Sequence, residues 1–328
     1  MELVRVCVRG ALALASVSQI ASFSTAFAEV RYLSQIDSTE VEPTLIGGTV
    51  VDHVKEFPAS VYVSMDGGRC SGTIVGSRVM VFAAHCVKNG GQASFTVPAT
   101  GEKYTARCTN APDYLRGINS ADWSLCLVDR PVTGIPFEVL NSDPARHAKG
   151  VQLQLTGYGC INPGGGGGND GKFRVGNATV TQVPAGRNYD IVTVGKAALC
   201  FGDSGGAAFA YLDAEGKTRV QVSINSKGNI STTSYISSTA NPVFQEFASG
   251  WTKTNGVTIC GINPEATGCR GVTPPAPPAP KHQTKKYCEA PVAAVEGAVF
   301  GPDYLQADAV EVLIKKLASC LRSPKPLK

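Results

Sequence analysis

The chain has 328 residues, and its 43% hydrophobic content is sufficient for a packed core, whereas only 17% of the residues are charged. The 36 glycines and 20 prolines indicate many turns and favour an all-β protein over a helical bundle. The net charge is only +4, and the sequence has neither a basic arm nor an aromatic-basic stripe, so we expect no nucleic-acid partner.

Residues 1–28 have the pattern of a secretory signal peptide. Arg5 and Arg9 give a positive start, a mostly apolar and uncharged run follows, and Ala26-Phe27-Ala28 fits an A-x-A cleavage site. The alternative is an N-terminal membrane anchor, but the run is short and interrupted by polar residues. Because no later apolar run is long enough for a bilayer, we expect a secreted or periplasmic protein without a membrane span.

The number of cysteines agrees with export. Removal of residues 1–28 takes away Cys7 and leaves ten cysteines, and an even number in an exported chain predicts a set of disulfides. The sequence contains no C-x-x-C pair and no Cys/His cluster at zinc spacing. We therefore expect no metal site and no other cofactor.

The central part of the chain has the pattern of a β protein. Residues 29–44, which are polar and mildly acidic, are interpreted as a pro-segment, with a merely frayed N-terminus as the alternative. From residue 49 onward, short apolar runs alternate with turn signals, and these predict paired β-barrels or a sandwich. A helix is predicted after Asn241, since Pro242 suits the first helical position.

The C-terminal part has a different composition. Residues 272–286 form a proline-rich linker that we expect to be extended and semi-rigid. Residues 287–328 contain one helical pattern, with Cys288 and Cys320 at its two ends. Because so small a piece buries little apolar surface, we expect a disulfide between these cysteines to stabilise it.

Three motifs carry residues suited to nucleophilic chemistry. Cys200 to Gly206 (C-F-G-D-S-G-G) holds Ser204 on a glycine-rich turn, which exposes a hydroxyl and aims backbone N–H groups outward, although such a turn is ordinary by itself. The A-A-H-C motif contains His85, one of four histidines. Asp122 opens an apolar strand, whereas the rival acid Asp113 follows a proline in a turn-like stretch.

These motifs follow Leu45-Ile46-Gly47-Gly48, and in this order they resemble the chymotrypsin-like (trypsin-fold) serine proteases over roughly residues 45–255. The resemblance implies that residues 45–271 form a protease domain. It also implies an all-β fold of two six-stranded antiparallel β-barrels with a C-terminal helix, here followed by the small disulfide-stapled extension.

The resemblance also implies the roles of the motif residues. Ser204 would be the nucleophile, His85 would act as general base and then as general acid, and Asp122 would hold the imidazole tautomer. The backbone N–H groups of Gly202 and Ser204 would form the oxyanion hole. The implied protein is a secreted serine endopeptidase that cleaves protein or peptide substrates through an acyl-enzyme. The alternative is a catalytically silent trypsin-fold binding protein.

By the same resemblance, the enzyme is made as a zymogen. Cleavage before Leu45 would create an N-terminal ammonium that pairs with Asp203. Thr44 precedes that bond, and the nearest upstream basic residue is Arg31, so we expect trypsin not to activate the chain cleanly. The expected partners are substrates and either an activating protease or the enzyme itself.

The resemblance places the floor of the P1 pocket at Ala198, beside Leu199. Neither residue offers a charge for Arg or Lys. The strand through Ser223 and Asn225 is matched to the family segment that pairs with the substrate backbone, with Asn225 where the family has glycine. We therefore expect a narrowed pocket and a small or medium uncharged P1 residue.

The cysteines match the family pattern in part. Cys70 and Cys86 match the bridge that braces the histidine loop, whereas the usual partner of Cys200 is missing and Cys160 is our best substitute. Proximity alone suggests two further pairs, Cys108–Cys126 and Cys260–Cys269.

Overall fold

Short strands form most of the regular structure in the computed structural model, which describes residues 31–32, 45–166 and 170–271. In chain order the strands are β1 (Arg31–Tyr32), β2 (Thr49–Val50), β3 (Ser60–Met65), β4 (Gly68–Gly76), β5 (Val79–Phe82), β6 (Gln92–Thr96), β7 (Lys103–Asn110), β8 (Ser124–Val128), β9 (Gln152–Gly157), β10 (Arg174–Gln182), β11 (Asp190–Val194), β12 (Ala207–Tyr211), β13 (Arg219–Gly228) and β14 (Thr233–Ser238). The α-helices are α1 (His53–Glu56), α2 (Pro112–Leu115) and α3 (Pro242–Asn255), and three short 3-10 turns span Ala84–Cys86, Pro144–His147 and Pro163–Gly165. The predicted signal peptide 1–28, linker 272–286 and extension 287–328, with Cys288 and Cys320, lie outside the described residues.

The first barrel closes in the order β3-β4-β5-β8-β7-β6, and every pairing is antiparallel. Its strands show why the sequence closes this way, since apolar residues alternate with polar ones at the two-residue period of a strand. In β7, for example, Tyr104, Ala106 and Cys108 are buried while Lys103, Thr105 and Arg107 are exposed. One face of each strand therefore fills the barrel interior.

The second barrel follows the order β13-β12-β9-β10-β11-β14, and the pairing of β13 with β14 closes the ring. Two short strands lie outside this ring: β2 pairs with β10, and β1 pairs with β13. The prediction of two six-stranded antiparallel barrels is confirmed.

The helix α3 begins where the sequence predicts. The Asn241 side chain accepts a hydrogen bond from the backbone N–H of Phe244 at 2.9 Å, and Pro242 takes the first helical position. Gly256 ends the helix with a left-handed φ of 62°. The buried face includes Phe244, whose ring meets that of Trp123 at 5.4 Å between centroids. This contact fixes the backbone directly after Asp122.

Four disulfides join described cysteines, and they are the pairs expected in that range: Cys70–Cys86, Cys108–Cys126, Cys160–Cys200 and Cys260–Cys269. Among the described residues, no helix is both long and apolar enough to cross a bilayer. No group of three or more His, Cys, Asp or Glu side chains in that part of the chain is placed to hold a metal ion.

Candidate active site

His85 and Asp122 both come from the first barrel. His85 lies in the 3-10 turn after β5, and Asp122 lies just before β8. Because β5 pairs with β8 through Phe82 and Ser124, the two segments meet at one end of the barrel. The turn is held by the disulfide of its Cys86 and by the buried Asn110, whose Nδ2 donates to the carbonyls of Ala84 and Val87 at 3.2 and 3.0 Å.

Three side chains form one continuous hydrogen-bonded chain. Nδ1 of His85 lies 2.5 Å from Oδ2 of Asp122, and Nε2 of His85 lies 2.9 Å from Oγ of Ser204. The backbone N–H of His85 also donates to Oδ1 of Asp122 at 2.8 Å. A carboxylate at Nδ1 fixes the tautomer in which Nε2 is free to accept the serine proton.

The Asp122 carboxylate is fully buried and has a further donor. Burial opposes its ionisation, but the charge of His85 and hydrogen bonds from His85 and Ser226 hold the pKa of Asp122 below its ordinary value. Oγ of Ser226 donates to Oδ2 of Asp122 at 2.6 Å. Asp122 is therefore the charged group that the imidazolium of His85 would face.

The turn that carries Ser204 comes from the second barrel and is held by the first. Ser71, in β4, donates from its backbone N–H to the Ser204 carbonyl and from its Oγ to the Gly202 carbonyl, both at 2.8 Å. Gly205 has a φ of 80°, and a side chain there would collide with the Ser71 carbonyl. The G-D-S-G-G sequence thus meets a real steric requirement at its fourth position.

Two backbone donors lie beside the serine. The N–H groups of Gly202 and Ser204 donate to no acceptor in the described part of the chain. The Gly202 carbonyl is turned toward Ser71, and the φ of Gly202 is 101°. This conformation leaves both donors available for an oxyanion.

Asp203 is buried among backbone donors. Its carboxylate accepts from the N–H of Gly159 at 2.6 Å and from that of Cys200 at 2.8 Å. Burial, only partly offset by these hydrogen bonds and by the charge of Arg174, raises the pKa of Asp203 to about 8. Burial of this carboxyl group therefore outweighs the hydrogen bonds and the charge of Arg174 around it.

The predicted new N-terminus lies in the same barrel. Leu45 is fully buried, and Ile46 is buried next to it. Ile46 and Ala198 exchange backbone hydrogen bonds at 3.2 Å, which brings the Leu45 segment to the loop that leads from β11 to Ser204.

Two of the residues expected to line the P1 pocket precede the serine turn. Ala198 and Leu199 are buried, and Leu199 O lies 3.7 Å from the position of a Cβ added to Gly228. Leu199 therefore lies beside the end of β13, whereas Ala198 pairs with Ile46. They bring no charge to this region, as expected from the sequence.

The expected substrate segment Ser223–Asn225 needs correction. Ser223 pairs with β12 on one side and β14 on the other, so it has no free strand edge. The Asn225 side chain donates to the Thr156 carbonyl at 2.8 Å and is fully buried there, so it narrows no pocket. The structure instead brings Ser226, three residues after Ser223, into contact with Asp122. The sequence does contain a signal for this register. Ser226-Lys227-Gly228 has a serine two residues before a glycine, as in the family segment, whereas Ser223 is followed two residues later by Asn225.

Sequence reasoning also missed an ion pair in this segment. Nζ of Lys227 lies 2.7 Å from Oδ2 of Asp190, and both side chains are largely buried. Burial raises the pKa of Asp190, although Lys227 opposes this shift. No sequence pattern links the two residues, because they come from separate strands, β13 and β11.

The rival acid takes no part in this arrangement. Oδ2 of Asp113 accepts from the Tyr189 hydroxyl at 2.7 Å, and its other oxygen pairs with Arg116. The Tyr189 hydrogen bond, opposed by burial and helped by the arginines, lowers the pKa of Asp113. Asp113 is committed to a structural cluster away from His85.

Comparison with known proteins agrees with the geometry. The sequence matches the profile of the family described as Trypsin over residues 46–245, more than half of the chain, and the chain belongs to that family. A protein named "Trypsin" from Saccharopolyspora erythraea is similar, with 27% identity over 132 residues, which are 37% of this chain and 58% of that protein. The matched part thus covers less than two thirds of this relative. Family membership confirms the resemblance and indicates a serine peptidase.

Proposed function

We propose that this protein is an exported serine endopeptidase, made as a zymogen, that hydrolyses peptide bonds through an acyl-enzyme. The observation that carries this proposal is the continuous chain of short contacts from Asp122 through His85 to Ser204. Export rests on the signal-peptide pattern of residues 1–28 and on the four disulfides.

In the proposed reaction, Oγ of Ser204 attacks the carbonyl carbon of the scissile peptide while Nε2 of His85 takes its proton. The buried Asp122 carboxylate stabilises the resulting imidazolium. His85 then gives this proton to the leaving amine, and a water molecule activated by the same nitrogen releases the acyl group from Ser204.

The negative charge of the tetrahedral intermediate requires donors that are fixed before the reaction. The N–H groups of Gly202 and Ser204 are held by the contacts of Ser71 with the two carbonyls of this turn. Loss of one donor of this kind typically raises the barrier by about 3 kcal/mol.

The proposed activation step is cleavage between Thr44 and Leu45. The new ammonium group would have Asp203 as its partner, because this carboxylate is buried with too little positive charge around it. The substrate preference proposed is for a small or medium uncharged P1 residue, on account of the uncharged walls at Ala198 and Leu199.

A serine-directed fluorophosphonate tests the proposal. After processing at Leu45, we expect one adduct, located on Ser204 by mass spectrometry, together with hydrolysis of a peptide library. Ser204→Ala is the matched control and should lose both signals. A processed, folded chain that forms no Ser204 adduct would instead be a silent binding protein.

A further inference from the structure

The strand β1 is not part of either barrel, yet it pairs with one. Arg31 lies opposite Gly228 and Tyr32 lies opposite Lys227, in antiparallel register with β13. Both residues belong to segment 29–44, the predicted pro-segment.

The position of β1 along β13 determines how close β1 lies to the turn that carries Ser204. β12 covers one edge of β13 from Arg219 to Ile224, and β14 covers the other edge from Ser223 to Gly228. Past Ile224, the first edge is taken by the serine turn, since Asn225 exchanges 2.8 Å backbone hydrogen bonds with Gly205 and Gly206. β1 must lie on this same edge, directly beyond the turn that carries the nucleophile.

An extended peptide that is to reach Ser204 needs a free strand edge beside the serine turn, because main-chain hydrogen bonds to such an edge hold peptides in register. The edge at Lys227 and Gly228 is the one that β1 occupies. From Arg31 to Tyr32 the chain runs toward Ser226, and thus toward the triad. In this arrangement Ser204 is fully buried.

We propose that Arg31–Tyr32 acts as an intramolecular competitive inhibitor, occupying the β13 edge at Lys227–Gly228 where an extended substrate would bind. This inference rests on the proposed function. The bound group is a peptide backbone in extended conformation, supplied by the chain itself.

The sequence of the pro-segment shows how such inhibition would end. While segment 29–44 is attached, its local concentration at the edge is on the order of millimolar. The segment contains no cysteine, so no disulfide retains it after a cut before Leu45. One cleavage would then turn a tethered inhibitor into a free peptide that dilution removes.

The test uses the processed protein that begins at Leu45 and a synthetic peptide of residues 29–44. The peptide should raise KM for a reporter substrate and leave kcat unchanged. A peptide with Arg31→Pro and Tyr32→Pro cannot donate from either N–H and should inhibit about tenfold less. A peptide with Glu40→Pro, outside β1, is the matched control and should inhibit like the natural sequence.

Two results would overturn the inference: absence of competition by the natural peptide, or equal inhibition by the R31P/Y32P peptide. Failure of the proposed function is distinguishable from both, because it appears as absence of turnover in the processed protein before any peptide is added. In that case, fluorescence anisotropy of the labelled peptides still decides whether the edge binds the natural sequence more tightly than the double-proline sequence.

Discussion

Ser226 of the second barrel donates a 2.6 Å hydrogen bond to Asp122 of the first, in addition to the bonds that Asp122 receives from His85. This contact shares Oδ2 of the carboxylate with Nδ1 of His85 and adds to the preference of Asp122 for the charged form. Ser226 is therefore a positioning residue that acts through Asp122.

Replacement Ser226→Ala should lower kcat/KM roughly tenfold, since a hydrogen bond to a buried charged group is lost. Ser223→Ala is the matched control: its hydroxyl is buried in the same strand and has no hydrogen-bond partner among the described residues. Equal kinetics for the two variants would contradict the assigned contact.

The stability of the uncut chain should fall as pH rises from about 4 to about 8. Burial raises the pKa of Asp203 from 3.8 to about 8, so the folded chain holds a proton that the unfolded chain releases within this window. The unfolded state then binds fewer protons, and the free energy of unfolding decreases with pH.

Urea unfolding across this pH range measures the effect. Asp203→Asn in the uncut chain should remove this part of the slope. Cleavage before Leu45 should also reduce it, because an ammonium partner favours the carboxylate. A slope that is the same in the natural chain and in Asp203→Asn would refute the shift.

Gly159→Ala should damage the Ser204 turn. A side chain at Gly159 would collide with the Asp203 carboxyl group, and backbone movement to relieve such overpacking costs about 1–3 kcal/mol. We expect a lower Tm and slower fluorophosphonate labelling. Gly166→Ala is the control, because an added Cβ there meets nothing within 4 Å and should change neither measurement.

The disulfide Cys160–Cys200 should contribute more stability than Cys260–Cys269. The two bonds join residues separated by 40 and by 9 positions, and the longer loop restricts the unfolded chain more, by about 1 kcal/mol in the chain-entropy description. Comparison of C160S/C200S with C260S/C269S by chemical unfolding measures this difference. Only the first pair should also impair labelling, because this disulfide ties Cys200, four residues before Ser204, to the segment at Cys160. The reverse order of stabilities would contradict the prediction.

Substrate panels varied at P1 should show preference for small or medium uncharged residues over Arg and Lys. A cation placed against Ala198 and Leu199 would find no charged partner on those two walls. Peptides that differ only at P1, compared by kcat/KM, provide the measurement. Preference for Arg or Lys would show that Ala198 is not the pocket floor.

The barrels and the meeting of His85, Asp122 and Ser204 were predictable from the sequence. Strand alternation alone predicts paired barrels or a sandwich. The two six-stranded barrels and the meeting of the three side chains are implied by the family resemblance that the short motifs carry. The register of β13 was not predictable from the sequence. Ser223 and Ser226 both follow the strand's apolar residues closely, and only the pairing of β13 with β12 and β14 decides which serine lies at the site.

Long-range contacts account for the rest of what sequence reasoning missed. The Lys227–Asp190 pair joins two strands whose adjacency depends on barrel closure. The strand β1 has only two residues, so its pairing with β13 leaves no periodic signal in the sequence.

The division of the site between the barrels has a consequence for the biosynthesis of the chain. His85 and Asp122 belong to the first barrel, whereas Ser204 and Ser226 belong to the second, and Ser71 links the two. A nascent chain that has folded only its N-terminal half holds a base without a nucleophile. Under the proposed function, proteolytic competence would arise only after both halves have docked, so a half-made chain would be inactive.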